Sequence, residues 1–95
     1  MATEPTITIH LTAPLRPYVG GASELEIAAP TIQKALDALE AGQPALYRNL
    51  CDETGALRRH LNVFVNADNI RDLRGIDTPL TAGDVIAFLP AVSGG

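Results

Sequence analysis

The pair of residues with the most chemical promise in this chain has no side chains. The sequence ends FLPAVSGG, so Gly94 and Gly95 present a main-chain carboxylate, and no charged side chain follows Asp84. Glycine lacks Cβ, so a backbone built from it can approach another molecule's reactive centre closely and adopt whatever dihedrals a narrow channel imposes. The stretch from Val85 to Ser93 carries no charge. Threading it into a partner would therefore desolvate no ionised side chain, and the Gly95 carboxylate is the one charge delivered. The competing reading is a frayed glycine end, which chain termini often have.

The conventional reactive side chains are sparse. His10, Cys51 and His60 stand at spacings that match no zinc signature. Nor do they form an arguable Ser-His-Asp or Cys-His arrangement, so structural or surface roles are expected, with no bound metal or cofactor. Gly20-Gly21 lacks the following Lys-Ser/Thr and the helix start of a phosphate loop, and reads as a tight turn. Arg58-Arg59-His60 is a small basic cluster, either solvated surface or an aid in docking an acidic partner.

Composition narrows the field. The chain has 95 residues and a net charge of −4. That length makes one small domain over 1–95, able to bury roughly 60–70% of its unfolded surface. The negative balance argues against nucleic acid as a partner, because phosphate binding needs clustered Lys and Arg. No apolar run of about 20 residues is present, so no membrane span is expected. MATEPTITIH lacks a basic segment followed by an apolar one, and Cys51 has no cysteine to pair with. The expected location is the cytoplasm. Lys34 is the only lysine; the other six basic residues are arginines.

Periodicity supplies the elements that must position the tail. TITIHLT alternates, with Ile7, Ile9 and Leu11 on one face, and ELEIA does the same with Leu25 and Ile27. APLRPYVGGAS between them reads as a hairpin-type connection. PTIQKALDALEAG changes period. Ile32, Ala35, Leu36 and Leu39 form one helical stripe, Thr31 is the expected N-cap and Gly42 the expected stop. PALYRNL predicts a second short helix from Pro44, with Leu46 and Leu50 inward. LNVFVN is a third strand, Ile70 is expected to begin a short fourth strand or bridge, and VIAFLP is the last strand. The order β-β-α-β-β, with first and last strands parallel at the centre, is the β-grasp arrangement. It is an α+β fold with a mixed sheet of four to five strands and one main helix on one face.

LRPYVGG after the first strand, VNADNIR at the third and TPLTAGDVIAFLPAVSGG at the end resemble the ubiquitin-like sulfur carriers. These include the small subunit of molybdopterin synthase and the thiazole sulfur carrier. The resemblance covers nearly the whole chain and is most specific at Gly83-Asp84, the apolar strand, Pro90 and Gly94-Gly95. It implies a protein cosubstrate and not an enzyme. In the family an E1-like enzyme adenylates the terminal carboxylate with ATP, and sulfur then replaces AMP to give a thiocarboxylate. The chain length and LPAVSGG look most like the actinobacterial carrier for cysteine biosynthesis. That likeness implies an E1-like partner and a cysteine synthase, met in transient complexes by a monomer with a flexible tail over about residues 90–95. The alternatives are a molybdopterin-synthase small subunit and a ubiquitin-like modifier conjugated through Gly95.

The last strand also predicts where partners would sit. Ile86 and Phe88 share the face expected against the helix. Ala87 and Leu89 then face outward, and Phe64 does so from the third strand between inward Val63 and Val65. Phe64, Ala87 and Leu89 are expected to form an exposed apolar interface beside the tail, with Pro90 and Val92 continuing it.

Overall fold

The computed structural model describes residues 4–90. Five strands are formed, β1 (Thr6–Leu11), β2 (Glu24–Ala28), β3 (Leu61–Val65), β4 (Asp68–Asn69) and β5 (Val85–Pro90). They lie in the order β2-β1-β5-β3-β4, so the last strand is the middle of the sheet. β1 and β5 run parallel, from Thr8 opposite Val85 to Leu11 opposite Phe88. The β1–β2, β3–β5 and β3–β4 pairs are antiparallel. With α1 (Ile32–Gly42) and α2 (Pro44–Leu50) between β2 and β3, this is the β-grasp fold expected from the sequence.

Strand alternation fills one face of the sheet with bulk. Ile7, Ile9, Leu11, Ile86 and Phe88 are at most 1% exposed, and Val63 and Val65 join them in one core. The helices supply the other half. Ile32, Ala35, Leu36 and Leu39 of α1 are all buried, as are Leu46 and Leu50 of α2. The Thr31 hydroxyl caps α1 by accepting from the Lys34 N–H at 3.2 Å.

As expected, α1 ends at Gly42, and the break falls at Gln43. Pro44 disfavours helical geometry in the residue before it, so the proline sets the boundary. The connection after β1 joins antiparallel neighbours, as the hairpin-type reading expected, but it is more than a tight turn. Residues Ala13–Val19 wind into a 3-10 helix closed by Gly20 at φ 69°. Pro14 and Pro17 fix φ near the required value, and the Arg16 Nε donates to the Leu11 carbonyl at 3.1 Å. Ile70 begins a 3-10 turn instead of a strand, because the Asn69 side chain caps that turn by accepting from the Arg71 N–H.

The long segment from Ile70 to Asp84 is tied to the start of α1. The Ile32 N–H donates to the Thr78 carbonyl at 3.2 Å, and the Leu80 N–H to the Pro30 carbonyl at 2.9 Å. Thr78, only 4% exposed, donates its hydroxyl proton to the Gly75 carbonyl and accepts from the Arg74 N–H. Its two hydrogen bonds offset the cost of taking the hydroxyl out of water.

Candidate functional site

β5 is clamped hard at its beginning. Gly83 turns the chain with φ 89°, a conformation that side chains resist. Asp84 then folds back, its carboxylate accepting from the Thr81 N–H at 2.8 Å and from the Asn66 amide at 3.1 Å. Asn66, itself left-handed at φ 57°, accepts from the Val85 N–H and donates its own N–H to the Val85 carbonyl at 2.7 Å. The Thr8 N–H donates to the Asp84 carbonyl from the other side. Gly83-Asp84 is thus the device that fixes β5 between β1 and β3. From there the strand runs toward the C-terminus, with Pro90 still in register with Leu61. Gly94, Gly95 and Val92 lie outside the described residues.

The face of the sheet away from the helices is built by the other residues of the alternation. Register sets Glu24, His10, Ala87, Phe64 and Asn69 side by side across all five strands. Leu89 stands opposite Asn62, and Val85 opposite Thr8. Phe64, Ala87 and Leu89 are half-buried, so their patch is less open than the sequence reading expected. Val85, 39% exposed, adds a large apolar group that this reading missed. The alternation that points Ala87 and Leu89 outward also points Val85 there. The β2 side of the face is acidic, with Glu24 and Glu26, while the β3–β4 side carries the amides of Asn62 and Asn69. This is an apolar centre with a polar rim, the layout of a surface that other proteins cover.

The remaining candidates are scattered. His10 lies on the outer face of β1 and His60 in the turn before β3. Cys51 ends α2 at 2% exposure, bridged to Leu57. Burial pushes its thiol up, against the pull of a hydrogen bond with Tyr47. A thiol held protonated is neither a good nucleophile nor a ligand. Gly20-Gly21 closes the 3-10 helix, the Gly21 N–H donating to the Arg16 carbonyl at 2.8 Å. Among the described residues no group of three His, Cys, Asp or Glu is placed to hold a metal ion, and no helix is long and apolar enough to cross a membrane.

Comparison with known proteins agrees with this geometry. The model of the ThiS family matches residues 9–95. The sulfur carrier protein CysO of Mycobacterium tuberculosis (strain ATCC 25618 / H37Rv) is 32% identical over 91 residues, 94% of this chain and 98% of that protein. Among solved structures, small archaeal modifier protein 1 from Methanosarcina acetivorans superposes with a TM-score of 0.85 at 30% identity, over 100% of both chains. The crystal structure of the Amycolatopsis orientalis BexX/CysO complex gives 0.83 at 30% identity, covering 94% of this chain and 99% of the matched one.

Proposed function

The chain belongs to the ThiS family, and we propose that it works as a sulfur carrier whose reacting group is the carboxylate of Gly95. One observation carries the reading: the strand that leads to Gly94-Gly95 is the clamped centre of the sheet, and its outward residues are apolar. A rigid domain can then be gripped on that face while an uncharged tail enters a partner's site.

The chemistry follows from what a carboxylate lacks. Its charge repels nucleophiles and oxide leaves badly. Attack of a Gly95 oxygen on ATP, catalysed by an E1-like partner, forms an acyl-adenylate and expels pyrophosphate. A sulfide sulfur then adds to the acyl carbon and AMP departs, leaving a thiocarboxylate. The sulfur is now nucleophilic and tethered, so no free sulfide is needed. The domain is a cosubstrate in this scheme; ATP is bound by the activating enzyme.

The likeness to CysO supports a cysteine-forming acceptor. There the thiocarboxylate adds to an aminoacrylate held by a cysteine synthase. The thioester product rearranges to an amide, and a peptidase releases cysteine. Such a carrier must leave one partner to meet the next, so the complexes are transient and the free chain is a monomer. In the molybdopterin branch, the chain would instead stay bound to a larger subunit.

The test uses the full chain with its cognate E1-like enzyme. ATP–pyrophosphate exchange is expected with the native chain and lost when Gly95 is deleted or a tag is added after it, while the fold is retained. Normal exchange by the tagged chain would sink the proposal. Intact-mass analysis after incubation with the synthase and its activated serine substrate should show a cysteine adduct. Sulfur passing only to a pterin precursor would move the chain to the molybdopterin branch.

The resemblance to an archaeal modifier protein favours a second reading, conjugation of Gly95 to target lysines. Chains linked through the protein itself could then use only Lys34 or the N-terminal amine. Gly-Gly remnants on other proteins, found by mass spectrometry, would establish it.

A further inference from the structure

Positive charge is scarce in this chain, yet half of its arginines meet at one place. Arg58, Arg59 and Arg71 border a groove of about 290 Å³ beside β3, and no carboxylate lines it. The protein as a whole carries −4, so this local excess runs against the overall balance. Asp68, Asp72 and Asp77 flank lining residues in the sequence without lining the groove themselves. Glu24 and Glu26 stand on β2, and Glu40, Asp52 and Glu53 line a neighbouring depression beside α2 that Arg58 also borders.

The walls of the groove are apolar. Leu61, Val63 and Ile70 form its base and belong to the core, at 7%, 2% and 4% exposure. Ile76 lines it as well and is 42% exposed. The guanidinium of Arg71 donates to the Arg59 carbonyl at 3.4 Å, which holds it over the same edge of the groove. Arg58 donates from Nε and Nη2 to the Arg48 carbonyl. These anchors are main-chain carbonyls, so they orient the cations without neutralising them.

We propose that this groove docks a peptide segment of a partner protein in which acidic residues flank a large apolar side chain. Charge complementarity selects the acidic flanks, since the planar guanidinium fork takes a carboxylate in bidentate geometry. The apolar base selects the anchor, because a phosphodiester backbone has nothing to place there. Asn69 lines the groove and also faces Phe64 on the outer side of the sheet. A partner covering the outer face can therefore reach round the β3–β4 edge into it. The docking itself needs neither Gly95 nor ATP, so it stands or falls apart from the carrier reading.

The experiment is a titration of the full ¹⁵N-labelled chain with a short synthetic peptide carrying Glu and Asp on either side of a leucine pair. Saturable shifts are expected at the amides of Leu61, Val63, Ile70 and Ile76. The double variant R59E/R71E should weaken binding by at least about tenfold, and so should replacing the leucines by serine. Both arginines are exposed, so the variant should keep the parent spectrum elsewhere. The milder pair R59Q/R71Q, expected to weaken binding by a smaller factor, serves if the first does not fold. The proposal is overturned by shifts that do not saturate, by shifts on Phe64, Ala87 and Leu89 instead, or by affinity indifferent to the arginines. It is equally overturned if inorganic phosphate or a short RNA produces the same shifts at least as tightly.

Discussion

The two faces of the sheet are made from alternate residues of the same strands, and they could hardly differ more. On β5, Ile86 and Phe88 are 0% and 1% exposed under the helices, whereas Val85 keeps 39% of its surface in solvent and Ala87 and Leu89 are half-buried. On β3, Val63 and Val65 are core while Phe64 between them is not. The inner face is closed by its own chain. The outer face is apolar in its middle without any element of this chain laid over it among the described residues. A period of two lets one strand present a closed core face and an open apolar face at once, with neither set of residues constraining the other's chemistry.

The largest effect that tests this contrast is on the inner face. Phe88→Ala should cost about 3–5 kcal/mol of stability, measured as a lowered urea midpoint at unchanged slope. A loss below about 1 kcal/mol would mean Phe88 is not the core residue its burial indicates. The outer face should behave in the opposite way. Phe64→Ala and Leu89→Ala should each leave thermal stability nearly intact, because half-exposed truncations cost little. Binding to the activating enzyme, read by calorimetry, should weaken by about 2 kcal/mol, or roughly 30-fold. If stability collapses while binding holds, the assignment of faces is inverted.

The smallest effect lies off both faces, in the turn between α2 and β3. The Asp52 carboxylate accepts from the Thr54 hydroxyl at 2.6 Å, from the Thr54 N–H at 2.9 Å and from the Ala56 N–H at 3.2 Å. The Thr54 hydroxyl bond comes first among the causes that hold this carboxyl below the usual range. A carboxyl with a depressed folded value stabilises the fold above its unfolded value of about 3.9. That contribution fades as pH falls through the lower folded value. Asp52→Ala should therefore melt slightly lower than the parent at neutral pH, and the gap should close in acid. A gap that widens toward low pH would contradict the hydrogen bonds as drawn.

What could be read from the sequence follows from how local each feature is. The α1 stripe of Ile32, Ala35, Leu36 and Leu39 and the alternation in β3 and β5 are periodic, so both are visible in the chain and found in the structure. The parallel pairing of β1 with β5 was legible from element order. Gly42 was legible as the end of α1, and Pro44 sets the break at Gln43 just beyond it. The 3-10 helix at Ala13–Val19 depends in part on a side-chain bond from Arg16 to Leu11, which no local pattern announces. The arginine-edged groove draws on residues from Leu57 to Ile76. Arg58-Arg59-His60 hinted at it, but Arg71 and the apolar base join only through the fold. The clamp by Asn66 and Asp84 was visible only as the motif Gly83-Asp84, without its partner across the sheet.

The central place of β5 has a consequence for how the protein is made. Of the five described strands it is synthesised last, yet the sheet cannot be assembled without it, because β1 and β3 meet only through β5. The β1–β2 hairpin and the two helices can form earlier, but their apolar sides stay open to water until β5 slots between the neighbours. Pairings between distant parts of a chain also form slowly, since loop closure must come first. A product cut short before Val85 would lack Ile86 and Phe88 from the core and would leave β1 and β3 with raw edges, which invite aggregation and proteolysis. Synthesis thus inspects its own output: a copy that has folded has also been translated through its last strand.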